Sequence, residues 1–219
     1  MMKTGILGGT FNPIHLAHLR IAEEVREACS LDRVLFIPAA DPPHKSVAEE
    51  VPFAQRLAMV ESAIADNPAF AASDLESHRT GKSYSVHTLE ILRRRNPDQE
   101  LFFIIGMDSF RDIGSWREYR RLFPLAHIVV AARPGISAEN PQALLPVAIR
   151  GDFCYDEQSK TLLHCSGNKV IFLEESLLDI SSTRIRRLAA GGRSIRYLVT
   201  PAVEDYISTH GLYRGQKRF

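Results

Sequence analysis

Two histidines and two glycines close to the N-terminus are residue types that could act on a phosphate group. Gly8 and Gly9 have no side chain, so backbone N–H groups can approach an anion closely there. His15 and His18 are three residues apart and can therefore project from one side of a helix's first turn. That turn would add the partial positive charge of a helix N-terminus. We therefore expect residues 8–18 to bind phosphate.

The spacing within residues 8–18 is more specific than a pair of glycines, which alone would predict only a tight turn. The segment reads G-G-T-F-N-P-I-H-L-A-H. It has neither the G-x-G-x-x-G spacing of dinucleotide-binding folds nor the G-K-S/T ending of a Walker loop. It resembles the N-terminal signature of the adenylyl- and cytidylyltransferase superfamily of nucleotidyltransferases. The resemblance implies that this segment holds a nucleoside triphosphate.

A second candidate phosphate site lies at residues 180–186, far along the chain. Ser181 or Ser182 can cap a helix N-terminus, and Arg186 is one turn further on. Alone, this pattern would favour a simply capped amphipathic helix. The sequence I-S-S-T-R-I-R also matches the second signature of the same superfamily. Two helix starts that can bind phosphate suit a triphosphate held between them.

Alternating strand and helix patterns surround these two motifs. The predicted strands are residues 3–7, 33–37, 69–72, 101–105, 127–132 and 169–173, and the predicted helices are residues 16–28, 53–66, 85–95, 116–122, 181–190 and 201–210. This order predicts an α/β fold, a Rossmann-like doubly wound parallel sheet with helices on both faces and a C-terminal helical segment. Residues 136–168 are less regular, and we expect a short helix at 140–150 and an irregular connection over 152–167. No linker divides the chain, so residues 1–219 are expected to form one nucleotidyltransferase domain.

The unusual residues follow the predicted strands at their carboxyl ends. Residues 8–18 follow the first strand, residues 41–45 the second, residues 106–108 the fourth, and Arg133 the fifth. Ligands of open parallel sheets bind outside the carboxyl ends of the strands. We therefore expect these segments to share one site.

Composition limits the partners of this protein. The chain is 45% hydrophobic and 24% charged, as in ordinary globular proteins. Its net charge of +1 argues against a nucleic-acid polymer as partner. Residues 1–3 lead directly into a strand, which predicts no signal peptide. The apolar runs are shorter than the roughly 20 residues that a membrane-spanning helix needs.

The cysteines support neither a zinc site nor a redox motif. Cys29, Cys154 and Cys165 form no C-x-x-C pair. Cys154, His164 and Cys165 fall in one region but lack the spacing of metal ligands. This spacing predicts no metal site made by protein side chains. Unpaired thiols fit a reducing compartment, so we expect a cytoplasmic protein.

Almost the full length of the chain resembles the bacterial nicotinate-nucleotide adenylyltransferases. Matching segments are residues 8–18, the P-P-H-K sequence at 42–45, residues 81–89, the G-M-D sequence at 106–108 followed by Trp116, and the C-terminal pattern over residues 194–213. Four positions depart from the family pattern, namely Ala17, Lys82, Ser85 and His87. None of them removes an expected phosphate ligand. Lys82 and His87 put in doubt only the local charge beside the acceptor site.

The resemblance implies transfer of the adenylyl group of ATP to nicotinate mononucleotide, which gives the deamido dinucleotide of NAD biosynthesis and pyrophosphate. His15, His18 and Arg186 would be the catalytic residues, acting through positioning and charge stabilisation. ATP would be bound by Gly8, Gly9, Thr10, Phe11, His15, His18, Gly106, Asp108, Ile180, Ser181, Ser182 and Arg186. Nicotinate mononucleotide would be bound by His44, Lys45, Tyr84, Ser85, Trp116 and Arg133.

Three of these residues have a structural alternative. Trp116, implied by the resemblance to stack on the pyridine ring, would otherwise be a core residue at a helix start. Asp108 would otherwise cap the next short helix, and Tyr84 would otherwise pack in the first turn of its helix.

Mg²⁺ is the expected cofactor, held mainly by the phosphates of ATP and by water. Two alternatives to the implied activity stay open. The chain could use another acceptor, such as nicotinamide mononucleotide or pantetheine phosphate, or it could be a non-catalytic nucleotide sensor. The expected partners are the two small-molecule substrates, without a nucleic acid or a membrane, and homo-oligomerisation is left open.

Overall fold

Strands and helices alternate through most of the chain in a computed structural model that describes residues 1–42, 51–132, 141–174 and 178–214. The strands are β1 (Lys3–Gly9), β2 (Arg33–Pro38), β3 (Phe70–Ala72), β4 (Glu100–Gly106), β5 (His127–Ala132), β6 (Phe153–Asp156), β7 (Thr161–His164) and β8 (Lys169–Glu174). The helices are α1 (Leu16–Ala28), α2 (Phe53–Ile64), α3 (Ser85–Arg95), α4 (Met107–Arg111), α5 (Leu122–Leu125), α6 (Ser182–Ala190) and α7 (Pro201–Thr209).

The described strands form one sheet in the order β3-β2-β1-β4-β5-β8-β7-β6. Neighbouring strands from β3 to β8 run parallel, whereas β7 and β6 continue the sheet antiparallel. The predicted α/β fold is therefore confirmed, with an antiparallel extension at one edge. Because β1 lies between β2 and β4, the strand order reverses there and leaves a crevice at the carboxyl ends.

The sheet buries both of its faces, and β4 shows how. Phe103 and Ile105 contact the core under α3, α4 and α5, while Phe102 and Ile104 contact the opposite core under α1, α2, α6 and α7. A strand covered on both faces needs apolar residues at successive positions, which explains the continuous apolar run in β4.

The helix predicted at residues 116–122 is wrong. Trp116 instead ends a 3-10 turn at Ile113–Ser115, and a second 3-10 turn at Tyr119–Arg121 leads into the short helix α5. Glu118 has a φ of 52°, in the left-handed region, which an α-helix does not contain. The segment is therefore broken directly after the tryptophan.

The irregular connection predicted over residues 152–167 is also wrong, because these residues form the hairpin β6–β7. Phe153 pairs with His164, and the buried side chains of Phe153 and Leu162 pack into the core beside α5. The short helix expected at 140–150 is replaced by two 3-10 helices, Pro141–Leu144 and Val147–Asp152. Pro146 lies between them, and proline cannot donate a backbone hydrogen bond that would join them.

Candidate active site

A cavity of about 910 Å³ lies at the carboxyl ends of β1, β2 and β4. This is the crevice that the reversal of strand order leaves open, and its volume is in the range of small-molecule sites. Eight of the residues expected to bind substrates line it: Gly8, Gly9, Thr10, His18, Tyr84, Ser85, Gly106 and Trp116.

The end of β1 presents backbone to this cavity, because Gly8 and Gly9, which line it, have no side chain. Phe11 has a φ of 47°, and its ring is buried at 2% exposure against the rings of His18 and Phe36. A Cβ on Gly9 would lie 3.2 Å from that ring, which is a tight contact, so a glycine lets the ring pack closely there. Phe11 can therefore contact a ligand through its main chain only.

His15 and His18 lie at the start of α1 with their rings stacked, at 3.6 Å between centroids. His15 is the N-cap residue, and its backbone N–H donates a hydrogen bond of 3.2 Å to Nδ1 of His18. The prediction that both rings lie on one side of the first turn is confirmed. Only His18 lines the cavity, because the ring of His15 is buried behind it.

Burial keeps both imidazoles neutral near neutral pH. Burial lowers the pKa of His15 to about 4. Burial, and then the neighbouring His15, lower the pKa of His18 well below its usual value. Since Nδ1 of His18 accepts a hydrogen bond, the neutral ring carries its proton on Nε2 and can donate from there.

The second motif forms the start of α6. Ser181 is the N-cap, and its hydroxyl accepts a hydrogen bond from the backbone N–H of Arg184 at 3.3 Å. Of the two predicted caps, Ser181 is thus the one used. The hydroxyl of Ser182, half-buried, donates to the carbonyl of Pro13 at 2.9 Å.

Arg186 joins the two motifs directly. Its Nη1 donates to the carbonyl of Asn12 at 2.8 Å, and its Nη2 donates to the hydroxyl of Thr183 at 3.3 Å. Because Asn12 and Arg186 are 174 positions apart in the chain, this contact brings the two ends of the sequence to one place. The start of α6 therefore lies beside the start of α1.

Several predicted ATP-binding residues lie outside the lining of the cavity. They are Phe11, His15, Asp108, Ile180, Ser181, Ser182 and Arg186. The alternative role of Asp108 as a helix cap is wrong, because Gly106 caps α4 and Asp108 lies in its first turn. Its side chain is exposed. A carboxylate in that position stabilises the positive end of the helix.

The opposite wall of the cavity is aromatic. Tyr84 is the N-cap of α3, Ser85 is its first residue, and both line the cavity. Trp116 is half-buried, with its ring edge-on to Phe103 at 6.2 Å between centroids. Trp116 therefore contacts the core and also contributes to the cavity wall.

Polar contacts fix the loop that leads into α3. The hydroxyl of Ser83 accepts hydrogen bonds from the backbone N–H groups of Ala40 and Asp41, at 3.0 and 3.1 Å. Lys82 forms an ion pair with Asp41 at 2.7 Å. The loop after β2 and the start of α3 are thus held together. The predicted acceptor residues His44, Lys45 and Arg133 lie outside the described residues.

Sequence reasoning missed Arg56, which supports the phosphate motif. It is 1% exposed, its Nη1 donates to the carbonyl of Thr10 at 2.7 Å, and its Nε donates to the carbonyl of Val51 at 3.0 Å. Its position between Phe53 and Val60 places it on the apolar face of the predicted helix. A charged residue on such a face was the signal that could have identified it.

Across residues 1–42, 51–132, 141–174 and 178–214, no three His, Cys, Asp or Glu side chains lie close enough to hold a metal ion. No helix in the same ranges is both long enough and apolar enough to cross a bilayer.

Comparison with known proteins identifies relatives over the full chain. The cytidylyltransferase-like family profile matches residues 6–188. The chain is 66% identical over 217 residues to a probable nicotinate-nucleotide adenylyltransferase of Syntrophotalea carbinolica, with 99% of this chain and 100% of that protein covered. It is 60% identical over 212 residues to a protein of the same name from Geobacter sulfurreducens, with 97% and 98% covered.

A solved structure shares the fold. Nicotinic acid mononucleotide adenylyltransferase of Plasmodium falciparum, complexed with NaAD, superimposes with a TM-score of 0.74 at 20% identity, covering 97% of this chain and 98% of that one. At this identity the likeness concerns the fold alone. The profile match and the close relatives establish the family. The chain belongs to the cytidylyltransferase-like family and, within it, to the nicotinate-nucleotide adenylyltransferases.

Proposed function

We propose that this protein transfers the adenylyl group of ATP to nicotinate mononucleotide. A 5′-phosphate oxygen of the acceptor attacks the α-phosphorus of ATP. The bond from the α-phosphorus to the bridging oxygen breaks, and pyrophosphate leaves with that electron pair. The observation that supports this most is the contact of Arg186 with Asn12, which joins both phosphate motifs beside one cavity with an aromatic wall.

The ATP side of the reaction uses hydrogen-bond donors. His18 presents Nε2–H to the cavity, Gly8 and Gly9 at the end of β1 present backbone, and Arg186 supplies a permanent positive charge at the start of α6. We assign to these groups the binding of the triphosphate and the stabilisation of charge that develops on it. His15 is buried behind His18, and we assign to it the orientation of that ring.

The acceptor side uses the aromatic wall. The indole of Trp116 offers a flat face to a pyridine ring. The N-terminus of α3 at Tyr84 and Ser85 has no side-chain cap, so its backbone N–H groups can receive the carboxylate of the ring. His44, Lys45 and Arg133 remain assigned to the acceptor on the basis of the sequence resemblance.

No protein base is required by this reaction. A phosphate monoester is already ionised near neutral pH and is its own nucleophile. Because its pKa is lowered, His18 is neutral, which is consistent with an imidazole that donates a hydrogen bond to the phosphates rather than one that transfers a proton. The acceleration then comes from in-line positioning and from electrostatic stabilisation.

Mg²⁺ is part of this proposal and would neutralise charge on the phosphates. The donors around the cavity include hydroxyl groups, backbone N–H groups and an imidazole, which suit phosphate oxygens. Such a site fits a cation that arrives with the nucleotide and keeps several waters. The protein's own residues then bind and orient the phosphates.

Compartment and partners complete the proposal. ATP and nicotinate mononucleotide are the proposed partners, and the cytoplasm is the proposed compartment. The thiols of Cys29, Cys154 and Cys165 are free in the structure, which agrees with a reducing compartment.

Pyrophosphate release tests the function. Purified protein is incubated with ATP, Mg²⁺ and nicotinate mononucleotide, and both pyrophosphate and the dinucleotide are quantified. We expect equal amounts of the two products and slower release with nicotinamide mononucleotide or pantetheine phosphate. Binding of both ligands without pyrophosphate release would favour a nucleotide sensor and overturn the proposal.

A further inference from the structure

Arg117 lies in the aromatic wall of the cavity, beside Tyr84 and Trp116, and neither the sequence motifs nor the reaction described above assigns it a role. It follows Trp116 and lines the same cavity. Its guanidinium carbon lies 5.1 Å from the centre of the Tyr84 ring, a distance typical of a cation stacked on an aromatic face. Tyr84 is the N-cap of α3, so the cation lies over the helix start to which the acceptor carboxylate is assigned.

The charges around the cavity make Arg117 distinctive. Among the described lining residues, the ionisable groups besides tyrosine are His18, Glu76, Asp112 and Arg117. Burial lowers the pKa of His18, which is therefore neutral at neutral pH. Arg117 is thus the one permanent cation in the described part of the cavity wall. Its positive charge counteracts the carboxylates of Glu76 and Asp112, which would repel a ligand that carries a carboxylate on its ring.

The guanidinium of Arg117 is available to a ligand. Its Nε lies 3.5 Å from a carboxylate oxygen of Glu118, in an exposed pair. Glu118 is engaged more closely by Arg121, whose hydrogen bond is the largest cause of a lowered pKa of that carboxyl. Within the described ranges, no group accepts a hydrogen bond from the terminal nitrogens of Arg117.

The backbone around Arg117 holds it at this position. Glu118 has a left-handed φ of 52°, so the chain turns directly after Arg117. Arg121 bonds both Glu118 and Glu90 of α3, which ties this turn to the helix that Tyr84 begins. The ion pairs of Arg121 therefore hold the turn that carries Arg117 against the helix that Tyr84 begins.

We propose that Arg117 is a specificity-determining residue that selects an acceptor carrying a carboxylate on its pyridine ring over the corresponding carboxamide. The inference rests on the proposed function, because it concerns the acceptor half of the same site. The carboxylate gains a charge-assisted hydrogen bond from the guanidinium and offsets its charge. The neutral carboxamide can accept one hydrogen bond through its carbonyl oxygen, but it carries no charge to offset, and its NH₂ group cannot accept a second hydrogen bond from the arginine.

Steady-state rates on the acid and amide mononucleotides test this proposal in the full-length protein. We expect Arg117→Gln to lower kcat/KM for nicotinate mononucleotide about tenfold, mainly through KM, and to leave kcat/KM for nicotinamide mononucleotide within about twofold. Arg117→Lys should retain part of the preference, since it keeps the charge without the planar fork. The matched control is Arg120→Gln, which removes an exposed arginine of the same segment that does not line the cavity.

Binding measured by calorimetry in the absence of ATP gives a second readout that needs no turnover. A weaker Kd of Arg117→Gln for the acid alone would support the proposal even if pyrophosphate release failed in every variant. Equal losses on both nucleotides, or an unchanged acid-to-amide ratio in rates and in binding, would overturn it. Equal use of both nucleotides by the wild type would overturn it as well, while leaving adenylyl transfer intact.

Discussion

The hydroxyl of Tyr213 donates a hydrogen bond of 2.7 Å to Oδ1 of Asn12, across 201 positions of the chain. Asn12 is 3% exposed, and burial raises the pKa of the Tyr213 hydroxyl, which stays protonated as a donor. The carbonyl of the same asparagine accepts the hydrogen bond of Arg186. One asparagine of the first phosphate motif is therefore held both by the second motif and by the segment that follows α7.

Tyr213→Phe should weaken ATP binding. The change leaves Oδ1 of Asn12 buried without this donor, which typically costs about 1–3 kcal/mol of folding free energy. We expect KM for ATP to rise severalfold in steady-state assays while KM for the acceptor changes little, because Asn12 lies on the ATP side. Tyr206→Phe on α7 is the control. Equal rises in both KM values would indicate a general structural effect instead.

His18→Ala should lower kcat more than tenfold with the fold intact. The change removes the Nε2–H donor that faces the cavity. Turnover is measured together with circular dichroism, and His78→Ala, at an exposed position, serves as the matched control. Unchanged turnover in the His18 variant would refute its catalytic role.

Stability should fall as the pH drops from about 6.5 towards 4. The pKa of His15 is about 4 in the folded chain and near 6.5 when unfolded, so the unfolded state binds more protons between these values. The stability is fully present above the unfolded pKa and decreases by up to about 1.4 kcal/mol per pH unit for each such group. Urea unfolding at several pH values measures it.

His15→Gln separates the contribution of the stacked pair His15 and His18 from those of His127 and His164, whose pKa is also lowered. We expect the variant to show a shallower loss of unfolding free energy between pH 6.5 and 5 than the wild type. Identical slopes would mean that His15 does not titrate in the way its burial implies.

Arg186→Lys should lower turnover about tenfold even though it conserves charge. Arg186 donates to Asn12 and Thr183 from two terminal nitrogens, and a lysine ammonium cannot reproduce that planar fork. Arg187→Lys, at the next and exposed position of α6, should leave turnover unchanged in the same assay. Comparable losses in both variants would argue that helix packing, not the fork, is responsible.

The sequence predicted the bounds of a helix or strand where residues within or next to that element determine where it begins and ends. The bounds of α1 and α3 were predicted correctly, because apolar spacing runs through each and Asn96-Pro97 follows α3. The helix at residues 116–122 failed because a left-handed residue interrupts a segment whose composition is compatible with a helix. The sequence did not predict the hairpin β6–β7, because the pairing of these strands depends on packing against β8 and α5.

The candidate site could be predicted from sequence only where its residues sit in one motif. Spacing and resemblance identified the segments at residues 8–18 and 180–186, and also Tyr84 and Trp116, which line the cavity. The contacts of Arg186 and Tyr213 with Asn12 could not be found in this way, because each spans more than 170 positions. Arg117 was missed for a different reason, since its role depends on the ring beneath it and on the charges across the cavity.

The contact between Asn12 and Tyr213 has a consequence for how the protein is made. During translation β1 and the first motif leave the ribosome early, whereas α6 and Tyr213 are among the last described residues to be synthesised. A chain that is terminated before α6 has neither Arg186 nor Tyr213, so Asn12 of the first motif then lacks both of these hydrogen bonds.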